Sequence, residues 1–340
     1  MATIYVREQG AVVRKQGERL LVTKERAAVG DIPMHDLDQL VVMGNIQLTQ
    51  PATAMLLRGG IGVTFTTMRG TVIGHLMPRV SPHSDLRVKQ LMVMSNDAAN
   101  LALARQVVLG KLANQRGLLM QARATHADVE RGARGIGEMM RGAQTTDNAE
   151  SLRGFEGKAG VYYWGGFKHL LKSELGFNGR NYHPSLDPVN ALLSFVYAFL
   201  QRDVNTMVEI VGLDPHLGFF HTIQYGRPSL VLDLMEEFRP LVCDPLTLNL
   251  LNLNVIQARD FRRTNEAQRP IVLEESAIER VIEKYEERVT SRVVYPLTKE
   301  NLSWRQIFEK QTRQMARVIK GEEARYVPVV MGGGSDGARE

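Results

Sequence analysis

Three segments in the second half of the chain put acids and a histidine among small and apolar residues. In Leu152-Arg153-Gly154-Phe155-Glu156-Gly157-Lys158-Ala159-Gly160, Glu156 falls in helical register with neighbours small enough to let something approach the backbone. Gly212–His221 ends with an imidazole behind the apolar pair Phe219-Phe220, ahead of a turn-rich loop that carries Arg227. Ser229–Pro240 reads as a helix capped by Ser229, with Leu230, Leu234 and Phe238 on its apolar face. Asp233 and Glu236 are three apart on one side of that helix, and Glu237 is four from Asp233. Clustered carboxylates repel, and a divalent cation relieves the repulsion. Glu156, His221 and Glu236 together make a credible site for Mg²⁺ or Mn²⁺, because oxygen ligands suit hard cations and one imidazole moves preference toward Mn²⁺. Three protein ligands leave octahedral positions for water and a phosphate oxygen, the arrangement phosphodiester chemistry needs. Each segment also has an ordinary reading: a surface glutamate, a structural histidine, a solvated acidic face.

The elements that must position these residues fall into two styles. Thr3–Val6, Ala11–Lys15 and Arg19–Thr23 are short apolar runs split by turn-like Glu8-Gln9-Gly10 and Gln16-Gly17-Glu18. Gln39–Met43, Ile61–Thr66 and Thr71–Leu76 continue the strands, with a helix over Pro51–Arg58. Pro and Ser cluster at Pro78–Ser84, and from about Asp85 the apolar spacing turns helical. Helices are expected from Val88 to Gly110, then over Lys111–Gln121, Val129–Met140, Leu152–Leu171, Pro188–Gln201, Val204–Val211 and Ser229–Val242, with Arg141–Asn148 a loop. A short hairpin fits Phe261–Val272, and charged helices fit Glu274–Val289 and Asn301–Lys320. The expected fold is therefore α+β: a β-sandwich-like N-terminal domain (1–77), a linker (78–86), a larger all-helical domain (87–325) and a disordered tail (326–340).

With 340 residues, 44% hydrophobic and 23% charged, the chain is of a size for two domains and ordinary in composition. A net charge of +5 is compatible with a polyanionic partner without requiring one. Cys243 is the single cysteine, so an intramolecular disulfide is excluded, and its neighbours offer nothing to activate it. The Met1–Val6 start lacks the pattern of a signal peptide, and the apolar run at Ala191–Leu200 is too short to span a bilayer, so a cytoplasmic location is expected.

The stretches "GLDPHLGFFH" (212–221), "GRPSLVLDLMEEFRP" (226–240) and "HPSLDPVNALLSFVY" (183–197), with Phe155–Gly160, resemble the adaptation integrases of CRISPR systems, the family of the CRISPR-associated protein numbered one. The resemblance spans nearly the whole chain. It implies that Glu156, His221 and Glu236 are metal ligands, with Asp233 in the accompanying acidic position. It further implies a homodimer assembled through the β-rich domains. Two such dimers would flank a dimer of the small CRISPR-associated protein numbered two, a heterohexamer holding double-stranded DNA. The 3′-hydroxyls of a captured fragment would attack the CRISPR repeat by transesterification.

Phosphate contacts are expected from basic residues near the acids: Arg227 first, then Lys168, Arg180, Arg259, Arg262 and Arg263. Asn190 and Tyr197, seven apart on one helix face, fit a role in orienting a ligand or phosphate, or equally a buried polar pair. Tyr162-Tyr163-Trp164 reads as core more readily than as a base-stacking platform. Two other functions use the same residues: a nuclease on branched or single-stranded nucleic acid that does not integrate, and a non-enzymatic DNA-binding scaffold.

Overall fold

In a computed structural model, the protein is described over residues 3–68, 72–78, 84–122, 126–181 and 184–331. It divides into two compact units, Met1–Pro82 and His83–Glu340.

The first unit contains β1 (Thr3–Val6), β2 (Val12–Gln16), β3 (Arg19–Lys24), β4 (Ala27–Pro33), β5 (Gln39–Met43), β6 (Gln47–Leu48), α1 (Gln50–Arg58), β7 (Gly62–Thr66) and β8 (Val72–Leu76). They form two four-stranded sheets, ordered β1-β5-β7-β8 and β4-β3-β2-β6. The first is mixed: β1, β5 and β7 run parallel and β8 antiparallel. β5 is buried at all five positions, as its unbroken Leu40-Val41-Val42-Met43 run requires of a strand covered on both faces. Val13, Leu20, Val22 and Ile32 from one sheet meet Leu40, Val42 and Val63 from the other, and α1 adds Ala52, Met55 and Leu56 to the same core. β4 is unannounced in the sequence because its turn is Glu25-Arg26. Both residues hold positive φ (49° and 72°) without the Gly or Asn that flags such hairpins.

The second unit is built from α2 (Ser84–Ser95), α3 (Asp97–Gln121), α4 (Ala127–Thr145), α5 (Ala149–Phe167), α6 (Pro188–Val211), α7 (Ser229–Met235), α8 (Asp244–Asn252), α9 (Glu275–Thr290) and α10 (Trp304–Lys320). It also holds two short hairpins, β9 (Phe261–Arg263) with β10 (Ile271–Leu273), and β11 (Arg292–Val294) with β12 (Asn301–Ser303), so it is not all-helical. No helix among the described residues is long and apolar enough to cross a membrane.

Several helix boundaries differ from expectation, each for a physical reason. The break falls at Asn96, whose side chain caps α3 by accepting from the Ala99 N–H, and α3 runs on through Gly110. Gly110 does not stop the helix; it admits another segment, since a Cβ there would lie 2.4 Å from Cβ of Pro328. Arg141–Thr145 remains helical because Ala143 is buried on the inner face of α4. α6 continues across Arg202-Asp203, where both charges are buried and paired: Asp203 takes Arg202 on one oxygen and Arg305 on the other.

The C-terminal expectation needs correction. Residues 326–331 are not a disordered tail, although the glycine-rich stretch expected beyond Met331 lies outside the described residues. Tyr326 and Val329 are fully buried. The Tyr326 hydroxyl (2.6 Å), the Val329 N–H (2.6 Å) and Gln311 Nε2 (3.1 Å) all donate to the Glu237 carboxylate. Asn114 Nδ2 binds both the Glu237 and Val329 carbonyls, at 3.0 and 2.7 Å. The expected linker at 78–86 lies mostly outside the described residues, and its last three positions open α2.

Glu237 thus secures the strap, and burial pushes its carboxyl up to about 7 against those three donors. Because the folded value lies above the usual carboxyl value, the group's contribution to stability is present in acid and declines as pH rises from about 4.5 through about 7. Glu237→Ala is expected to cost about 3 kcal/mol, since three buried donors lose their acceptor. Urea unfolding at pH 5 and pH 8 measures it, with the larger loss expected at pH 5; equal midpoints for variant and wild type would contradict the role.

Candidate metal centre and its basic cavity

Glu156 lies mid-way along α5, and Glu236 and Asp233 come from the α7 region. Asp233 and Glu236 lie on one side, both meeting the His221 ring, whereas Glu237, two residues past the end of α7 at Met235, turns away from it. The chain then turns into a π-helical segment, Arg239–Cys243, at Pro240, which has no N–H to continue the α-helical pattern. Asp233 holds the His221 loop, Glu236 meets both His221 and the lysine it shares with Glu156, and Glu237 goes to the C-terminal strap.

Asp233 is buried and accepts four bonds. Its Oδ2 takes the Phe219 and Phe220 N–H groups (2.6 and 3.0 Å), and its Oδ1 takes the His221 N–H (2.9 Å) and His221 Nδ1 (2.6 Å). The loop reaches α7 because residue 218 is glycine: a Cβ there would lie 2.6 Å from the Ser229 carbonyl carbon and 2.9 Å from Asp233 Oδ2. From α2, buried Gln90 fastens the same loop through the Asp214 and Leu217 carbonyls and the Asp214 N–H. With Nδ1 committed to Asp233, His221 turns Nε2 toward Glu236 Oε1, 3.7 Å away. His216, the loop's other histidine, is exposed, and its Nδ1 lies 3.0 Å from the Arg227 carbonyl.

Lys111, from the middle of α3, stands between the two glutamates. Its Nζ lies 2.5 Å from Glu156 Oε1 and 2.7 Å from Glu236 Oε2. Arg239 Nε is 3.5 Å from Glu236 Oε1. Burial alone raises a carboxyl, but Lys111, Arg239 and His221 outweigh it and hold Glu236 at about 2. Glu156, His221 and Glu236 are brought into one neighbourhood, yet their ligand atoms do not all lie within 4.8 Å of one another; among the described residues only His126, Asp128 and His169 do.

A cavity of about 510 Å³ opens over α5, lined by Glu156, Lys111, Lys168, Arg180, Tyr197, Arg239, Trp164 and Asp244 among others. Four cations face two carboxylates, so the cavity suits an anion. Tyr197 is its buttress: the ring carries the Arg239 guanidinium 4.5 Å and the Arg180 guanidinium 5.3 Å from its centroid. The Tyr197 hydroxyl donates to Asp244 Oδ1 at 2.6 Å, while Tyr163 donates to Oδ2 at the same distance. Burial pushes Asp244 up to about 6, against the opposing pull of those hydroxyls. Asn190 is fully buried and shapes the rim: its Oδ1 accepts from Arg180 at 2.8 Å and its Nδ2 donates to Asp187 and the Gly179 carbonyl.

Of the residues expected from sequence to touch phosphate, Lys168 and Arg180 line the cavity. Arg227 sits half-buried in the turn before α7 and does not line it. Arg259, Arg262 and Arg263 are exposed at or beside the β9 strand, also away from the lining, and Arg262 pairs with Glu274 at 3.4 Å. Lys111 and Asp244 escaped sequence reasoning. The available signal for Lys111 was a polar pair with Gln115 interrupting the Val107, Val108, Leu112, Leu119 face of α3. Tyr163 is core, and Cys243 is buried with its thiol pushed well above the ordinary value by desolvation, in keeping with an inert cysteine.

A family model described as CRISPR associated protein Cas1 matches residues 4–287. The chain is 32% identical over 330 residues to a CRISPR-associated endonuclease Cas1 of Thermus thermophilus, covering 96% of this chain and 97% of that one. It is 34% identical over 333 residues to a CRISPR-associated exonuclease Cas4/endonuclease Cas1 fusion of Geobacter sulfurreducens, covering 95% of this chain but spanning 59% of the fusion. Among solved structures, a casposase bound to integration product superposes with a TM-score of 0.82 at 18% identity, over 96% of this chain and 93% of that one. A Cas1 protein from Thermotoga maritima gives 0.80 at 22% identity, over 98% and 100%. A Cas6-RT-Cas1–Cas2 complex gives 0.81 at 21% identity, over 96% of this chain and 36% of that one. At these identities the structural likeness is one of fold.

Asp233→Ala is expected to lower stability by about 3 kcal/mol, because three loop N–H groups lose a buried acceptor. It also frees the His221 ring. Proton NMR of wild type should show a low-field Nδ1–H resonance from His221 that disappears in Asp233→Ala; its persistence would mean that another group orients the ring.

Proposed function

The chain belongs to the Cas1 family of CRISPR-associated proteins, and from that premise we propose that it is a metal-dependent DNA integrase that inserts captured duplex fragments into a CRISPR repeat array. The observation that carries this reading is the meeting of two glutamates on one lysine ammonium beside an oriented imidazole and a basic cavity.

The residues fit a divalent cation. Among the described residues, buried Glu236 Oε2 is met by the Lys111 ammonium at 2.7 Å, and Gln115 Oε1 is buried without a hydrogen-bond partner. Buried Glu236 and half-buried Glu156 share one ammonium and so already need positive charge between them. Glu156, Glu236 and Nε2 of His221 would hold Mg²⁺ or Mn²⁺, which when bound polarises a phosphate and offsets charge that builds during displacement. Asp233 keeps Nε2 of His221 available by fixing Nδ1. Arg180, Lys168 and Arg239 bind the backbone phosphates that flank the reacting one. Tyr197, held by Asp244, keeps the two guanidiniums aimed into the cavity. Lys111 neutralises the carboxylates of Glu156 and Glu236 and, as it lines the cavity, would be free to meet a phosphate if a cation took its place between them.

The proposed partners follow the same reading: double-stranded DNA as captured fragment and repeat, a second copy joined through the β-rich unit, and the small CRISPR-associated protein numbered two in a heterohexamer. The endonuclease names of the relatives favour one other reading, DNA cleavage without joining, in which water replaces the 3′-hydroxyl as nucleophile at the same site.

Strand transfer separates the two. A short duplex with free 3′-hydroxyls is incubated with a supercoiled repeat plasmid, Mn²⁺ and the partner protein. Wild type should yield joined product. His221→Ala should lose more than the roughly 10- to 100-fold that outer-shell partners of a metal typically cost. Joined product undiminished in the variant would overturn the site; cleavage without joining by wild type alone would establish the nuclease reading.

A further inference from the structure

α4 and α5 form an antiparallel hairpin closed at one end by the three residues 146–148. At its open end stand His126, one residue before α4, Asp128 in its first turn, and His169, two residues past the end of α5. Each offers a ligand atom, and all of these lie within 4.8 Å of one another.

The details favour an ion over a simple polar contact. Asp128 gives Oδ1 to Arg131 and leaves Oδ2 facing both imidazoles, 3.0 Å from His169 Nε2 and 3.7 Å from His126 Nδ1. His169 Nε2 is shut off from solvent, and the group it faces is Asp128 Oδ2. Two imidazole nitrogens and a carboxylate oxygen that converge in this way form a ready donor set for a cation. We propose that His126, Asp128 and His169 bind a structural zinc ion that staples the open end of the α4–α5 hairpin.

Two imidazoles and one carboxylate form a borderline donor set that suits Zn²⁺, with water in the fourth position. Such a ligand set is poor for Mg²⁺, so this centre and the carboxylate site take different ions. The two rings stack, with centroids 3.8 Å apart and planes 11° from parallel. Binding therefore turns the His126 ring edge-on; its side chain is 45% exposed and has room to move. The turn releases the cap that His126 Nδ1 provides to the Asp128 N–H. Closing a long segment at its base restricts the unfolded chain, so the ion stabilises the hairpin that carries Glu156 and, next to His169, the cavity residue Lys168.

The test uses the full chain carrying Glu236→Gln, so that ions at the carboxylate site do not enter the count. The metal-free protein is titrated with Zn²⁺ by calorimetry and with Co²⁺ by visible absorption, and its Tm is followed with and without Zn²⁺. His126→Asn, which keeps a capping oxygen, and His169→Gln are compared in the same background. One equivalent of Zn²⁺, the intense visible bands of four-coordinate Co²⁺, and a rise in Tm are expected, all lost in both variants. Tm values of the metal-free variants close to that of their parent would show that they fold. Zn²⁺ binding of equal stoichiometry and affinity in either variant, or no Zn²⁺ binding by the parent, would overturn the proposal.

Discussion

Two glutamates from distant parts of the chain share one buried lysine. Glu156 on α5 and Glu236 beyond α7 would repel if brought together bare in a low-dielectric setting, and Lys111 on α3 makes the approach possible. Most of the helical unit serves that approach. α3 contributes the ammonium and, through Asn114, a grip on the strap that packs over Gly110. The π-helical turn at Pro240 swings Arg239 back toward Glu236 and places Asp244 beneath Tyr197.

Four buried carboxylates within twelve residues perform separate tasks set by what surrounds each; Glu237, pushed up to about 7, holds the C-terminal strap. Asp233 meets only N–H donors and orients an imidazole. Glu236 meets cations, is held strongly acidic, and stays charged at any physiological pH. Asp244 meets two phenols and little positive charge, so burial dominates and its carboxyl rises to about 6. The residue types are interchangeable on paper; their environments assign the roles.

The two-part organisation was legible because strand and helix periodicities differ, and the sequence singled out Glu156, His221 and Glu236 because residues 155–160, 212–221 and 226–240 carry specific motifs. It concealed features that depend on contacts between distant segments. Lys111 reads as one more helix lysine until Glu156 and Glu236 are seen on either side of it. Gly110 reads as a helix stop until Pro328 is seen packed against it. Arg202-Asp203 reads as a break until Arg305 and Glu286 are found to complete a buried network. Glu25-Arg26 gives no local sign of a left-handed turn. Arg259 and Arg262 looked suitable by proximity in sequence, but the fold carries them away from the cavity.

In the proposed site a divalent cation would replace the Lys111 ammonium between Glu156 and Glu236. Mn²⁺ binding to the full chain, followed by electron paramagnetic resonance, measures this most directly in wild type and Glu236→Gln. Wild type is expected to sequester one more Mn²⁺ than the variant, with the variant's folding shown intact by its unchanged circular dichroism. Equal Mn²⁺ stoichiometry and affinity in the two proteins would contradict the claim and leave Lys111 as a permanent ion-pair partner.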